Sequence, residues 1–263
     1  MHGEVLRTES ITPSLVRVVL GGPGLDGFAM PGDTDAYVNV AIPPPGASYG
    51  GVFDPRAVVD TQPREQWPAR RRYTVRRWDE AAHELTIDFV VHGTSGLAGP
   101  WAAGAKPGDV LVFNGPAGGY RPDPTADWHL LVGDESCVPA IAATLEALPA
   151  GATAVVVAVA DGPEHEVVLD GPAGTSVTWV HRSADDPEPL VAAVRSLTFP
   201  EGRVHAFVHG EAGETRAIRR HLVADRGVPA ASMSLSPYWR RGMDDEQWRS
   251  VKKEFVAAMN AES

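Results

Sequence analysis

Cysteine is almost absent: Cys137 is the single thiol in 263 residues. That excludes an intrachain disulfide, a C-x-x-C pair and any cysteine-held zinc or iron–sulfur centre. Positive charge is also scarce, with 23 Lys and Arg against 34 Asp and Glu and a formal net charge of −11. Such a surface repels nucleic acid and anionic membranes as general partners, so an anionic ligand needs a local basic cluster. No stretch approaches the roughly 18 uninterrupted apolar residues of a membrane-spanning helix, and no membrane insertion is expected. The opening Met1-His2-Gly3-Glu4-Val5-Leu6 lacks the charged and then apolar run of a signal peptide, so the expected location is cytoplasmic. There is no P-loop, H-E-x-x-H or G-x-S-x-G elbow, which removes kinase and hydrolase readings. Apolar content of 43% with 22% charged residues is that of a globular chain able to bury one large core or two ordinary ones.

What the chain does hold is a basic strand. Arg70-Arg71-Arg72-Tyr73-Thr74-Val75-Arg76-Arg77 packs five arginines into eight residues. Tyr73, Thr74 and Val75 are strand formers, and residues 84–92 read as the hairpin partner. An aromatic face, a hydroxyl and arginine forks suit a planar ligand carrying a pyrophosphate, such as a flavin dinucleotide. The plainer reading is an edge strand protected from aggregation by its charges.

Around it, residues 4–20 read as one alternating strand and residues 36–42 as a second. A Pro/Gly-rich excursion over 43–68 reads as a long loop, and residues 110–113 as a further strand. Short strands with almost no helix predict a small antiparallel barrel. The pattern changes near residues 121–127. Beyond them strands at 128–133, 154–159, 177–180, 203–210 and 232–235 alternate with helices at 139–148, 189–197 and 214–224. That predicts a parallel, Rossmann-like sheet. The expected organisation is a barrel domain over 1–121 and an α/β domain over 122–263. The latter ends in a helix at 244–259 with Trp248, Val251, Phe255 and Met259 on one face.

Gly133-Asp134-Glu135-Ser136 falls where the first parallel strand meets a helix, a place where backbone N–H groups receive an anion; an ordinary Asp/Ser N-cap is the alternative. Cys137 reads as a buried filler rather than a reactive thiol. The glycines of segment 92–101 permit close backbone approach to a pyrophosphate, or simply a tight barrel corner. His205 and His209 share a strand face, and with no third ligand evident a metal site is not expected. Arg219-Arg220-His221 reads as a solvated helix face, with one arginine available to a phosphate. Tyr238-Trp239-Arg240-Arg241-Gly242 joins two aromatics to two cations directly after the last strand, either as packing or as the wall of a ligand site.

Together these stretches resemble the siderophore-interacting protein family, flavin-dependent ferric-siderophore reductases of the ferredoxin–NADP reductase superfamily. The family's R-x-Y-T-x-R matches Arg71, Tyr73, Thr74 and Arg76. Its H-G...G-P-A-S-x-W matches at His92, Gly93, Gly96, Ala98 and Trp101. Its G-D-E-T...P-A-I matches Gly133, Asp134, Glu135, Pro139, Ala140 and Ile141, with Ser136 for threonine, and its Y-W-R-x-G matches Tyr238, Trp239, Arg240 and Gly242. Leu97 stands where proline is usual, Gly99 where serine is usual, and Pro237 where glycine is common.

The resemblance implies an FAD-binding barrel followed by an NAD(P)H domain. It implies cofactor contacts from Arg71, Tyr73, Thr74, Val75, Asp88, Val90, His92, Gly93, Gly96, Ala98, Gly99 and Trp101, and from Asp134, Ser136, Glu211 and Trp239. Arg240, with Lys252 or Lys253, would hold an anionic ferric siderophore. No protein acid or base is required, since the flavin carries the chemistry. Reduced ferredoxin instead of NAD(P)H, or a non-catalytic ferric-chelate carrier, are the alternatives. A monomer is expected. Neither the siderophore nor the choice between NADH and NADPH is legible.

Overall fold

The computed structural model describes every residue except 92, 94, 95, 187 and 263. The chain divides into two compact units, Met1–Arg121 and Pro122–Ser263.

The first unit is a closed antiparallel barrel of six strands: β1 (His2–Thr12), β2 (Leu15–Gly21), β3 (Tyr37–Ile42), β4 (Ala69–Asp79), β5 (Glu84–Val90) and β6 (Val110–Ala117). They pair in the order β1-β2-β5-β4-β3-β6, with β6 returning to β1. Closure leaves no free edge, so the arginine-rich β4 is an interior member and not a charged edge strand. The core draws alternate residues from each strand, among them Val18, Leu20, Val38, Val40, Val75, Leu85, Ile87, Phe89, Leu111 and Phe113.

Two expectations change here. Residues 4–20 are not one strand but a hairpin that turns at Pro13-Ser14, where proline offers no N–H and the Ser14 N–H donates to Thr12 Oγ1. Inside the 43–68 excursion lies a short helix, α1 (Pro55–Thr61), started by Pro55 and capped by Asp54, whose side chain accepts from the Arg56 N–H. A second short helix, α2 (Ala98–Gly104), follows β5.

The second unit is a five-stranded parallel sheet. Its strands are β7 (Trp128–Gly133), β8 (Thr153–Ala160), β9 (Gly174–His181), β10 (Val204–Glu211) and β11 (Met233–Trp239), in the order β11-β10-β7-β8-β9. The helices are α3 (Val138–Ala147), α4 (Pro189–Ser196), α5 (Ala212–Arg220) and α6 (Asp245–Ala261). Every residue of β7 is buried, as expected for the central strand of a parallel sheet. The chain adds β8 and β9 on one side of β7, then crosses over to build β10 and β11 on the other. The order therefore reverses between β7 and β10, and ligands of such sheets bind beyond the strand ends there.

Tyr238 and Trp239 belong to β11 instead of following it. The basic helix is also less solvated than expected. Arg219 and His221 are buried, and the chain continues past α5 in a π-helical turn over His221–Asp225. Arg219 donates to the carbonyls of Asn260 and Glu262, so its charge closes the C-terminal end of α6. Helix α6 begins with a capping box between Asp244 and Gln247. Trp248 and Met259 are buried, but Val251 is exposed because it stands about 60° round the helix from Trp248.

Candidate functional site

In the barrel, the register of β4 sorts the basic motif by face. Tyr73 lies opposite Val38 and Arg71 opposite Val40, and both valines are core residues, so Arg71 and Tyr73 share the core-facing side. Thr74 lies opposite Tyr37 on the other side, and Arg72 stands over the Tyr37 ring at 5.4 Å. The Tyr73 ring is half-buried, tilted against Phe89 at 4.3 Å, and Phe89 is backed by Trp101 at 5.6 Å. Arg71 donates Nη1 to the Arg70 carbonyl, which folds its stem along the strand.

Val75 is buried opposite Ile87, and Val90, half-buried, ends β5. Both oxygens of the buried Asp88 accept from Arg17, at 2.7 and 2.8 Å, so its carboxylate holds β2 to β5. Gly93 and Gly96 adopt φ values of 55° and 76°, which glycine takes without strain. At Gly99 a Cβ would lie 3.1 Å from the Val90 carbonyl oxygen and 3.4 Å from Val91 Cα. The segment is therefore pressed onto the end of β5, with Ala98 buried beside it. His92 lies outside the described residues. A half-exposed ring on an aromatic backing, an arginine on the same face and a glycine-bearing segment beside them fit a flavin dinucleotide.

In the second unit the site lies at the strand ends where the order reverses. Asp134 follows β7 and is 1% exposed. Its Oδ1 accepts from the Ser136 N–H and hydroxyl, and its Oδ2 accepts from the Glu211 N–H at 2.9 Å and Trp239 Nε1 at 2.7 Å. One carboxylate thus ties the ends of β7, β10 and β11 together and fixes the indole. Burial first, then Glu135, pushes the Asp134 carboxyl up, while Ser136 and Trp239 pull it down. Asp134 is therefore a positioning residue for Trp239. It is not the N-cap of α3 either, since that position falls to Cys137, buried and without a side-chain cap. Two glycines permit the approach: a Cβ on Gly133 would meet Cys137 Cβ at 2.5 Å, and one on Gly210 would meet Asp134 Oδ2 at 2.6 Å.

Three more carboxylates gather there. Glu211 caps α5, its Oε2 accepting from the Glu214 N–H, and its Oε1 accepts from the Arg241 N–H. Glu135 is held by Arg182 through both oxygens, at 2.6 and 2.9 Å. Burial opposes the Arg182 charge, but Glu135, Asp134 and Asp161 hold its pKa above the ordinary value. Glu214 is 1% exposed, and among the described residues neither oxygen has a hydrogen-bond partner. Burial and then Asp134 push its carboxyl up to about 8.

The cationic residues expected to face a substrate are spread. Arg240 lies over the Phe255 ring at 5.0 Å, and Arg216 lies 5.6 Å from the same ring. Lys252 is half-buried, and its charge adds to burial in lowering His209 to about 3. Lys253 is exposed. The two strand histidines have separate partners. His205 accepts from the Asp123 N–H, while His209 is bonded to Tyr238 and Ser234 and stacks on Phe207 at 3.7 Å.

Sequence reasoning missed the Phe89 backing of Tyr73, the Glu135–Arg182 pair and the buried Glu214. Only Glu214 left a trace, as an acid in the first turn of a helix whose cap is another acid.

A closed antiparallel barrel followed by a parallel sheet with this strand order places the chain in the class of two-unit FAD/NAD-binding folds. The FAD/NAD-binding domain of nitric oxide dioxygenase from Vibrio cholerae shares it at a TM-score of 0.66 and 18% identity, covering 91% of this chain and 98% of that one. The particular family is narrower. Residues 4–120 match the siderophore-interacting FAD-binding domain, and residues 126–242 match the siderophore-interacting protein model. The chain belongs to the siderophore-interacting protein family.

Among solved structures it is similar to the siderophore-interacting protein SipS from Aeromonas hydrophila, with a TM-score of 0.83, 30% identity and 98% of each chain covered. Among curated proteins it is similar to the ferric vibriobactin reductase ViuB of Vibrio cholerae, at 33% identity over 95% of this chain and 92% of that protein. It is also similar to the NADPH-dependent ferric-chelate reductase of Escherichia coli, at 32% identity over 89% and 91%. The family expectation and the fold class read from the sequence both hold.

Proposed function

We propose that the chain is an FAD-dependent ferric-siderophore reductase that draws its electrons from NAD(P)H. When bound, FAD would accept a hydride from the nicotinamide and release electrons singly to iron(III). The chain's residues bind and orient. Tyr73 offers its half-exposed ring to the flavin, stiffened by Phe89 and Trp101, and Arg71 offers charge to the pyrophosphate. The backbone around Gly93, Gly96, Ala98 and Gly99 lies close by; Thr74, buried on the opposite face of β4, and Val75, in the barrel core, would meet the cofactor through their backbone only, and Val90 ends β5.

In the second unit Ser136 and Glu211 border the nicotinamide nucleotide at the strand ends, and Asp134 fixes Trp239 for the cofactor. Arg240, Lys252 and Lys253 supply the positive charge that a ferric chelate of negative charge needs in a chain otherwise acidic. Oxygen donors hold iron(III) far better than iron(II), so reduction releases the metal.

The observation that carries the reading is Tyr73 on Phe89 with Arg71 on the same face, inside the segment matching the FAD-binding model. The ferric reductases among its relatives supply the substrate class. The test is to add FAD to the purified protein, remove free flavin, and record the absorbance with NADH, NADPH or reduced ferredoxin. Retained flavin bleached by a nicotinamide supports the proposal. Bleaching by ferredoxin alone replaces the donor, and a colourless protein overturns the reading.

A further inference from the structure

The backbone of Arg240 is anchored on both sides. Trp239, the last residue of β11, is fixed through its indole by Asp134. The Arg240 carbonyl accepts from the Met243 N–H at 3.1 Å, across a turn in which Gly242 takes a φ of 78°. Its side chain reaches α6, where the Phe255 ring centre lies 5.0 Å from the guanidinium carbon.

Phe255 is itself held. Trp248, Phe255 and Met259 are spaced seven and then four residues apart, which is one stripe of an α-helix, and Trp248 and Met259 are buried on it. The Trp248 ring meets Phe255 edge-on at 5.4 Å. Arg216 of α5 lies 5.6 Å from the same ring, and its Nε donates to Glu262 Oε1 at 2.7 Å.

The ring thus touches two guanidiniums of different standing. Arg216 is neutralised by Glu262, and Arg241, next in the chain after Arg240, lies 3.3 Å from Glu188. Among the described residues the Arg240 guanidinium has no carboxylate partner. A carboxylate would quench its charge and occupy its N–H fork. An aromatic face instead attracts the cation through the ring quadrupole and takes up none of the five N–H donors. Arg240 is oriented without loss of charge, and its donors stay open to the anionic oxygens of a chelate.

We propose that Phe255 is the positioning residue for Arg240, an inference that rests on the substrate role given to Arg240 above. Helix α6 is then part of the recognition of an anionic ferric chelate: Trp248 and Met259 seat the ring, and the ring aims the cation.

The experiment follows reduction of ferric citrate, an anionic chelate, by the FAD-loaded full chain, with melting temperature as the folding control. Parent, Phe255→Leu, Phe255→Tyr, Arg240→Ala and the Phe255→Leu/Arg240→Ala double variant are compared. Leucine keeps apolar volume but has no aromatic face. Phe255→Leu should raise KM about two- to fivefold, the worth of one cation–π contact at a partly open site, and spare kcat and flavin bleaching by the nicotinamide. Phe255→Tyr, which keeps the face, should retain the parent KM. Arg240→Ala should raise KM, and adding Phe255→Leu to it should change nothing more. An unchanged KM in Phe255→Leu, or an equal rise with and without Arg240, overturns the inference and leaves the role of Arg240 standing. If Arg240→Ala itself leaves KM unaltered, the substrate role of Arg240 fails and this inference fails with it.

Discussion

Replacing Glu214 by glutamine should stabilise the protein at neutral and alkaline pH and leave it nearly unchanged in acid. Glu214 is 1% exposed with both oxygens unpartnered among the described residues, and burial, followed by Asp134, pushes its carboxyl from 4.5 to about 8. A carboxyl whose folded value is raised keeps its proton in the fold after the unfolded chain has lost it. Below the unfolded value both states are protonated and nothing is lost. As pH rises from 4.5 towards 8 the folded state falls behind by up to about 1.4 kcal/mol per unit, one proton being at stake. By pH 7 the accumulated loss approaches roughly 3 kcal/mol as an upper bound, a large share of an ordinary domain's stability.

Glutamine has nearly the same shape and no charge to bury, so it removes the loss without opening a cavity. The assay is guanidinium unfolding of parent and Glu214→Gln at a series of pH values from about 5 to 8.5. The curves should converge at the acid end, with the variant ahead by at most about 5 kcal/mol at the alkaline end. Parallel pH curves, or a variant less stable at alkaline pH, would show that Glu214 is ionised and paired, and would refute the reasoning.

Asp134→Ala should cost several kcal/mol, because the Ser136 N–H, the Glu211 N–H and Trp239 Nε1 lose their acceptor at about 1–3 kcal/mol each; Asp134→Asn, which keeps one acceptor oxygen, should cost less. Near-ultraviolet circular dichroism should report the loosened indole in the alanine variant, and an unchanged spectrum would mean that Trp239 is fixed elsewhere. Tyr73→Ala should raise the dissociation constant for FAD severalfold, since a lost aromatic pairing costs about 0.5–1.5 kcal/mol beyond area; unchanged affinity in a flavin titration would place the ring outside the site. Arg240→Glu should raise KM for an anionic ferric chelate, flatten its salt dependence and spare flavin reduction by the nicotinamide. Slower bleaching with unaltered reoxidation would assign Arg240 to the donor instead.

Much of this architecture was legible because it rests on local pattern. The fully buried β7 and the valine-rich β8 announce a parallel sheet, and the change of pattern after Arg121 separates it from the short alternating strands before. What escaped depends on chain reversals and long-range partners. Nothing in the alternation of residues 4–20 reveals that Pro13 turns the chain back on itself, and the Asp54-Pro55 helix start was submerged in a Pro/Gly-rich stretch.

The site follows the same division. Arg71, Tyr73 and Trp239 stand out by type and motif. That Asp134 would turn one oxygen to Trp239, 105 positions away, becomes visible only when β7 and β11 are brought to the same end of the sheet. Arg219 looked solvated because its partners, the last carbonyls of α6, lie more than 40 residues on.

The central claim is that electrons pass from a nicotinamide through FAD to siderophore-bound iron, and a sequential stopped-flow experiment meets it most directly. FAD-loaded protein is bleached anaerobically with a stoichiometric amount of NADH, then mixed with a ferric siderophore in the presence of a ferrous-specific dye. The account predicts that flavin absorbance returns and that about two iron(II) are captured per flavin, since each iron(III) takes one electron. A flavin that stays bleached while the ferric chelate binds would contradict it, as would reoxidation with no iron(II) captured.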